Sequence, residues 1–414
     1  MRVLLSTYGT RGDVEPLLAL AVELRALGVE VRMCTPPDEE FAQRLAGLGI
    51  DAVPVGPPIR ALMSGTTPPS AAELSRYRTE LVDAQFSVLP SAAAGCDALV
   101  VAGLAQVAAR SVAEAAGIRY VYVTYAAVNL PSPRHAPPPR PGWPESEADN
   151  TTRWMLDADL VDAQFREPLN RHRAALGLPP VAAVRDHVYS DRPWLAADPL
   201  LGPWPPGQDL EVVQTGAWTT VDERPLPADL TEFLAAGAPP VYVGFGSIGP
   251  APGIARCAVE VSRARGHRVL VSRGWADLDL VDGQDDCFAI DDVNHQRLFG
   301  KLAAVIHHGG AGTTQTAAKA GVPQVVVPIQ VADNPYWAGQ VAAGKVGAAL
   351  DGRTATMETL AAALETALAP ETRDRAKALG AEIRTDGART AARLLLDGLP
   401  AQSTDDFPGR TCCP

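Results

Sequence analysis

The chain alternates between short apolar runs and amphipathic segments, and a glycine often stands where one gives way to the other. Residues 2–8 and 29–34 predict strands, and residues 15–27 between them space their apolar positions as a helix does, ending at Gly28. The same alternation continues through strands at 51–55, 98–101 and 120–123 and helices at 38–48 and 107–116. Strands alternating with glycine-terminated helices predict a parallel sheet covered on both faces.

A second alternating block begins beyond residue 228, after an extended acidic segment. Strands are predicted at 241–244, 268–272, 287–291 and 303–306, and the last helices at 357–368, 371–385 and 388–397. The sequence therefore predicts an α/β protein with two Rossmann-like domains facing across a cleft. We expect the domains to span residues 1–218 and 219–398, with a disordered tail over 399–414 that holds Cys412 and Cys413.

Two segments interrupt the alternation. Residues 56–70 are rich in Pro, Gly and Thr and predict a long loop. Residues 131–144 contain seven prolines in fourteen positions, together with Arg134, His135 and Trp143. A loop of this length inside a compact domain is either a linker or a functional lid, and we expect these three side chains to face an acceptor.

Composition and charge narrow the class of protein. The 414 residues suggest two domains of about 200 residues each. A net charge of −12 disfavours a nucleic-acid partner, and no apolar run approaches the length of a membrane span. The first apolar run predicts a strand rather than a signal peptide, and the scattered cysteines suit a reducing compartment. We expect a cytoplasmic monomer that touches neither membrane nor nucleic acid.

One stretch carries the strongest chemical signal. An apolar run at 303–306 leads into His307, His308 and a glycine-rich turn, followed by a predicted helix at 313–320 and a second apolar run. A turn of this kind places free backbone N–H groups at a helix start, where they bind an anion. A tight turn without a ligand is the alternative. The nucleoside-triphosphate P-loop motif is absent, and no Gly-x-Gly-x-x-Gly fingerprint opens the chain.

This stretch, His-His-Gly-Gly-Ala-Gly-Thr, resembles the nucleotide-sugar signature of family 1 glycosyltransferases, in their bacterial natural-product branch. The resemblance implies the two-domain GT-B architecture, with a last helix that crosses back to the first domain. It also implies that His308, Gly310, Gly312 and Thr313 hold the diphosphate of the donor.

The loop after the first strand reads Thr-Arg-Gly-Asp-Val-Glu-Pro from Thr10. Loops at the carboxyl ends of parallel strands line the ligand crevice. From spacing alone, Asp13 is either a general base or an ordinary carboxylate of a first helical turn. The family resemblance implies the base, and it places Thr10 beside the diphosphate.

The remaining donor contacts rest on the same resemblance. It implies that Ser247 contacts phosphate, that Arg273, Val293 and Gln296 lie at the nucleobase, and that Asp333 and Asn334 bind the sugar. Trp275 either stacks on the base or fills a gap between layers. Family members usually carry Asp-Gln where this chain has Asp-Asn, so the shortened amide changes the reach towards the sugar. Asn334 as a helix cap is the alternative.

Beyond these motifs, residues 169–180 and 213–218 resemble enzymes that glycosylate vancomycin-type glycopeptide antibiotics. The sequence therefore predicts an inverting glycosyltransferase that moves a sugar from a TDP- or UDP-sugar to a hydroxyl of a bulky natural product. The predicted enzyme requires neither metal nor cofactor. Its two Asp-x-Asp pairs, at 157–159 and 277–279, resemble a metal-binding motif of a different glycosyltransferase architecture, but both lie outside the phosphate loops. A polyketide or other aglycone, a nucleotide-sugar epimerase, and a non-catalytic sugar-nucleotide-binding partner protein are the alternatives.

Overall fold

The computed structural model describes residues 1–63, 70–139, 148–246, 253–274, 284–329 and 332–398. It contains two parallel sheets, one of seven strands and one of six. Trp143, Ser247, Trp275, Cys412 and Cys413 lie outside the described residues. In the described part of the chain, no helix is both long and apolar enough to cross a membrane.

The first sheet has the strand order β3-β2-β1-β4-β5-β6-β7. Its outward winding from β1 in both directions is the doubly wound arrangement that the alternating pattern predicts. The strands are β1 (Arg2–Thr7), β2 (Glu30–Thr35), β3 (Asp51–Pro54), β4 (Ala98–Ala102), β5 (Arg119–Thr124), β6 (Trp194–Leu195) and β7 (Val213–Gln214).

Helices cover both faces of this sheet and bury two apolar layers. They are α1 (Arg11–Ala26), α2 (Glu39–Gly47), α3 (Ile59–Met63), α4 (Ala71–Ala93), α5 (Ala109–Ala116), α6 (Asn150–Ala175) and α7 (Val184–Tyr189). The sequence pattern did not predict α7, and it predicted only loop where α3 stands. Both are too short for a helical period to show.

The second sheet repeats the winding, with the order β10-β9-β8-β11-β12-β13. Its strands are β8 (Val241–Gly244), β9 (Val269–Ser272), β10 (Cys287–Ile290), β11 (Ala304–His307), β12 (Gln324–Val326) and β13 (Gly347–Ala349). The associated helices are α8 (Ala228–Ala235), α9 (Ile254–Ala264), α10 (His295–Leu298), α11 (Ala311–Lys319), α12 (Asn334–Ala343), α13 (Met357–Leu368), α14 (Pro370–Glu382) and α15 (Gly387–Asp397).

The last helix, α15, packs on the first domain, as the family resemblance implied. Ala391, Ala392 and Leu395 are fully buried in the same apolar cluster as Leu17 and Leu24 of α1. Small alanines allow close helix approach, and the Arg119 guanidinium donates to the carbonyl oxygen of Leu395 at 2.8 Å. A cation at the carboxyl end of a helix is also favourable for the helix dipole. The last described helix therefore belongs to the core of the domain that contains the first strand.

A further apolar cluster joins the two domains. Trp337 of α12 has no exposed surface, and it packs with Ala126, Ala127, Leu195 and Leu201 of the first domain. Burying an aromatic side chain of this size contributes on the order of 2 kcal/mol. This cluster sets the relative position of the two sheets.

We predict that Leu395→Ala lowers the free energy of unfolding by about 2–5 kcal/mol, because it removes a fully buried side chain between α15 and α1. Leu394→Ala is the matched control, since Leu394 is 39% exposed on the same helix. Denaturant unfolding measures both variants. Equal losses for the two would show that α15 does not stabilise the first domain through this face.

Candidate active site

The glycine-rich turn after β11 has the geometry of an anion site. Gly309 adopts φ +90° and Gly310 is the N-cap of α11. The first helical hydrogen bond joins the Thr314 N–H to the Gly310 carbonyl oxygen at 3.0 Å. The N–H groups of Ala311, Gly312 and Thr313 therefore lie ahead of the helical ladder, where they can bind an anion.

His307 holds the shape of this turn from inside the domain. It is fully buried, its Nδ1 accepts from the Gly309 N–H at 3.1 Å, and its Nε2 lies 2.9 Å from Oε1 of Gln324. An accepting Nδ1 requires the proton on Nε2, so His307 donates to Gln324. Burial, with a smaller contribution from the neighbouring His308, lowers the pKa of His307 to about 3. His307 is thus a neutral structural residue.

His308 lies between two glycines from different loops. A Cβ on Gly246 would stand 2.8 Å from its Cε1, and a Cβ on Gly310 would stand 2.6 Å from its Nε2. Burial lowers the pKa of His308 to about 4, so the imidazole is neutral at physiological pH. Its Nδ1 is buried without a hydrogen-bond partner among the described residues. A neutral imidazole with a free N–H can donate to a phosphate oxygen.

Backbone approaches backbone next to His308. A Cβ on Gly274, at φ +55°, would come within 2.4 Å of the Gly246 carbonyl oxygen. The ends of β8, β9 and β11 therefore converge on one point, and only glycine fits there. Ser247, which directly follows Gly246, lies outside the described residues.

Asp13 stands at the other side of the cleft, in the first turn of α1. The helix begins at Arg11 rather than at residue 15, because Thr10 caps it: the Thr10 N–H donates to Asp13 Oδ2 at 2.8 Å, and the Thr10 hydroxyl lies 3.5 Å from the same oxygen. Asp13 therefore helps to cap α1, which agrees with the alternative role of a first-turn carboxylate. Thr10 turns its hydroxyl towards Asp13.

The same carboxyl is strongly perturbed. Burial and, to a smaller extent, the negative charge of Asp333 raise the pKa of Asp13 to about 7, although the Thr10 N–H acts in the opposite direction. Asp333 belongs to the second domain, so carboxyl groups from the two facing domains interact electrostatically. A group whose pKa lies near the working pH is suited to take up a proton.

The start of α12 contributes the second of these carboxyl groups. Asp333 Oδ2 accepts from the Trp337 indole N–H at 2.9 Å, and burial raises the pKa of Asp333. Asn334 is 5% exposed and its Nδ2 has no partner among the described residues. Asn334 opens α12 at its first position, while Asp333 occupies the N-cap. The cap predicted as the alternative for Asn334 therefore falls one residue earlier.

An ion-pair chain that the sequence did not predict spans the cleft. The extended segment 219–228, here called the linker, joins the two alternating blocks. Arg11 of the first domain and Arg224 of this linker both bond Asp292, each at 2.9 Å. Burial opposes ionisation of Asp292, but the two guanidinium groups lower its pKa overall. No local sequence pattern predicts these ion pairs, because the three charged residues are far apart in sequence and only the fold brings them together.

The predicted nucleobase residues follow β9 and β10. Arg273 pairs with Asp291 at 3.2 Å, and Val293 is 8% exposed. Gln296 donates to the Thr220 carbonyl at 2.6 Å and accepts from the Asp222 N–H at 3.4 Å. Its amide therefore holds the linker in this structure, and a base contact by Gln296 stays a prediction. Trp275 lies outside the described residues.

The predicted acceptor residues of the proline-rich segment 131–144 lie in different environments. Arg134 is exposed. His135 packs edge-on between Trp154 and Trp204, with ring centroids 6.1 and 6.3 Å away, and its carbonyl accepts from the Trp154 indole at 2.9 Å. Burial lowers the pKa of His135. His135 thus anchors the segment, and Trp143 lies outside the described residues.

These parts share one chemistry. A neutral imidazole and free N–H groups at the start of α11 can bind an anion, and a carboxyl with a raised pKa belongs to the other domain. Within the described ranges, no group of three or more His, Cys, Asp or Glu is placed to hold a metal ion. The fold and the site define a two-domain enzyme that binds a nucleotide-linked substrate in its cleft.

Comparison with known proteins agrees with this class. Residues 3–131 match the glycosyltransferase family 28 N-terminal domain, and residues 282–391 match the C-terminal domain of proteins like erythromycin biosynthesis protein CIII. A vancomycin aglycone glucosyltransferase of Amycolatopsis orientalis is 52% identical, over 96% of this chain and 98% of its own length. A dTDP-epi-vancosaminyltransferase of the same organism is 49% identical, over 96% and 98% of the two chains.

The solved structure of the kitacinnamycin glycotransferase has the same fold, with a TM-score of 0.72 at 20% identity, covering 96% of this chain and 99% of that one. The chain belongs to the family 1 glycosyltransferases of bacterial natural-product biosynthesis, with the GT-B architecture. It is a nucleotide-sugar-dependent glycosyltransferase.

We predict that the free energy of unfolding of Asp13→Asn, measured relative to that of the wild type, increases as the pH rises from 5 to 8. The folded protein binds the Asp13 proton up to about pH 7, whereas the unfolded chain releases it near pH 4. Wild-type stability therefore loses the contribution of this group as pH rises through that window. Denaturant unfolding at a series of pH values measures it, with Asp159→Asn on exposed α6 surface as the control. A constant difference between Asp13→Asn and wild type would contradict the raised pKa.

Proposed function

We propose that the chain is an inverting glycosyltransferase in which Asp13 takes the proton of the acceptor hydroxyl. The observation that carries the proposal is the position of this carboxyl in the first turn of α1, close to Asp333 of the facing domain, where burial raises its pKa to about 7. Inversion needs one base, on the face of the sugar away from the leaving diphosphate. The position of Asp13 in the first domain and of His308 in the second supports this arrangement.

The donor occupies the second domain in this proposal. The turn from His308 to Thr313, with Gly310, Gly312 and Ser247, binds the diphosphate and neutralises the charge that develops as it leaves. Thr10 faces it from the first domain. Arg273, Trp275, Val293 and Gln296 form the nucleobase side, and Asp333 with Asn334 binds the sugar hydroxyls. No metal is needed, because backbone dipoles and donors meet the charge.

Relatives support the acceptor class. The two relatives named above act on vancomycin aglycone or transfer an epi-vancosaminyl group from a dTDP donor, as their names state, and each matches this chain almost end to end. We propose that the acceptor is a glycopeptide aglycone or its glucosylated form, that the donor is TDP- or UDP-linked, and that the enzyme works as a monomer. Arg134, His135 and Trp143 form part of the acceptor side.

We predict that calorimetric titration finds one of TDP and UDP bound, and that His308→Ala weakens this binding at least tenfold. The variant removes the imidazole donor while the backbone N–H groups of the turn remain. His267→Ala, a histidine of the same domain outside the turn, is the control. Unchanged nucleotide affinity in His308→Ala would remove His308 from the diphosphate site.

We predict that Gly9→Ala lowers turnover of a glycopeptide aglycone at least a hundredfold, with a smaller effect on nucleotide affinity. A Cβ on Gly9 would lie 2.1 Å from Asp13 Oδ2, so the carboxylate has to leave its place. A displaced base loses about this factor in proton transfer.

Gly12→Ala is the matched control, since its Cβ would meet nothing nearer than the Thr10 hydroxyl at 3.7 Å. Steady-state kinetics compares the two variants with Asp13→Asn. Near-normal turnover in Gly9→Ala, or in Asp13→Asn, would contradict the assignment of Asp13 as base.

A further inference from the structure

A turn of the first domain packs against two helices of the second, α11 and α12, and against the segment just beyond α14. This docking turn, residues 197–202, follows β6. The Asp198 N–H donates to Oε1 of Gln315 on α11 at 3.0 Å. The Arg384 N–H, just beyond α14, donates to Asp198 Oδ2 at 3.1 Å. Asp198 is 1% exposed, so these bonds are sheltered from water.

The third contact of the docking turn is with Trp337. A Cβ on Gly202 would lie 2.8 Å from Cη2 of the Trp337 ring and 3.4 Å from Cβ of Ala197. The indole is fully buried, so it cannot retreat into solvent. The absence of a side chain at Gly202 therefore determines where the Trp337 ring lies.

The opposite edge of the same ring reaches the donor side. Its Nε1–H donates to Asp333 Oδ2 at 2.9 Å, across one turn at the start of α12. An indole N–H is a single donor with a fixed direction, so the ring position selects the orientation of the carboxylate. A rigid chain of contacts thus runs from Gly202 in one domain to Asp333 in the other.

We infer that Trp337 is a positioning residue for the donor sugar: it transmits the docking of the first domain to Asp333 and so makes sugar binding depend on domain contact. The inference rests on the proposed role of Asp333 in binding the sugar. Supporting residues of this kind set the orientation of groups that touch the ligand. Trp337 is fully buried, so it acts through Asp333, to which its indole N–H donates.

The test separates sugar binding from nucleotide binding. Trp337→Phe keeps most of the ring and removes the N–H donor. We expect the KM for the nucleotide-sugar to rise about tenfold, the equivalent of one hydrogen bond to a carboxylate, while the affinity for TDP or UDP alone is unchanged. In an Asp333→Asn background the same substitution should add little, because the group that it positions has already been altered.

A second variant tests the path from the first domain. Gly202→Ala forces its Cβ against the ring, and we expect a several-fold rise in the same KM without loss of nucleotide affinity. Gly339→Ala is the control: Gly339 is on α12 itself, and its Cβ would meet nothing within 4 Å. Thermal unfolding checks that each variant is folded at the assay temperature.

The outcomes separate two failures. If the wild type binds neither TDP nor UDP, or if Asp333→Asn leaves the donor KM unchanged, the proposed function of the site fails. If Asp333→Asn raises the KM but Trp337→Phe and Gly202→Ala do not, the positioning role alone is overturned. Equal loss of nucleotide and nucleotide-sugar affinity, or additive effects of Trp337→Phe and Asp333→Asn, would also overturn it by showing a general structural effect.

Discussion

The packing of the two domains through the buried indole of Trp337 is the constraint on which the site depends. It brings α1 of the first domain, with Asp13, opposite α11 and α12 of the second. The last helix reinforces this arrangement, because α15 belongs to the second domain in sequence and to the core of the first in space.

Desolvation then gives the cleft its electrostatic character. It raises the pKa of Asp13 and of Asp333, and it lowers the pKa of His307 and His308. All four shifts move the groups towards their neutral forms. A pocket of neutral donors and backbone N–H groups can receive a diphosphate without holding a counter-ion of its own. Among the described residues, Arg11 of the first domain and Asp292 of the second form an ion pair at 2.9 Å.

The sequence predicted the architecture well because the buried strands are apolar and bounded by glycine. Doubly wound order, the glycine-rich turn before α11 and the return of α15 all follow from local pattern or family resemblance. Short elements such as α7 and β13 were missed, since three to six residues carry no period. The start of α1 was misplaced because Thr10 and Asp13 cap each other through a bond that the apolar pattern does not reveal.

The long-range parts of the site were beyond such reasoning. Arg11, Asp292 and Arg224 are separated by 281 and 68 positions along the chain, and their pairing is a product of domain docking. The burial that distinguishes the structural His307 from the accessible turn beside it is likewise a tertiary property. Gln296, placed at the nucleobase by resemblance, bonds the linker because the linker returns over α10.

The most direct test of the central claim is the configuration of the product. Wild-type enzyme is incubated with α-linked TDP- or UDP-glucose and a glycopeptide aglycone, and the new anomeric centre is assigned by NMR after mass spectrometry has shown sugar addition. Direct displacement assisted by Asp13 predicts a β-linked glycoside, absent with Asp13→Asn. An α-linked glycoside, or free glucose with no glycoside formed, would contradict it.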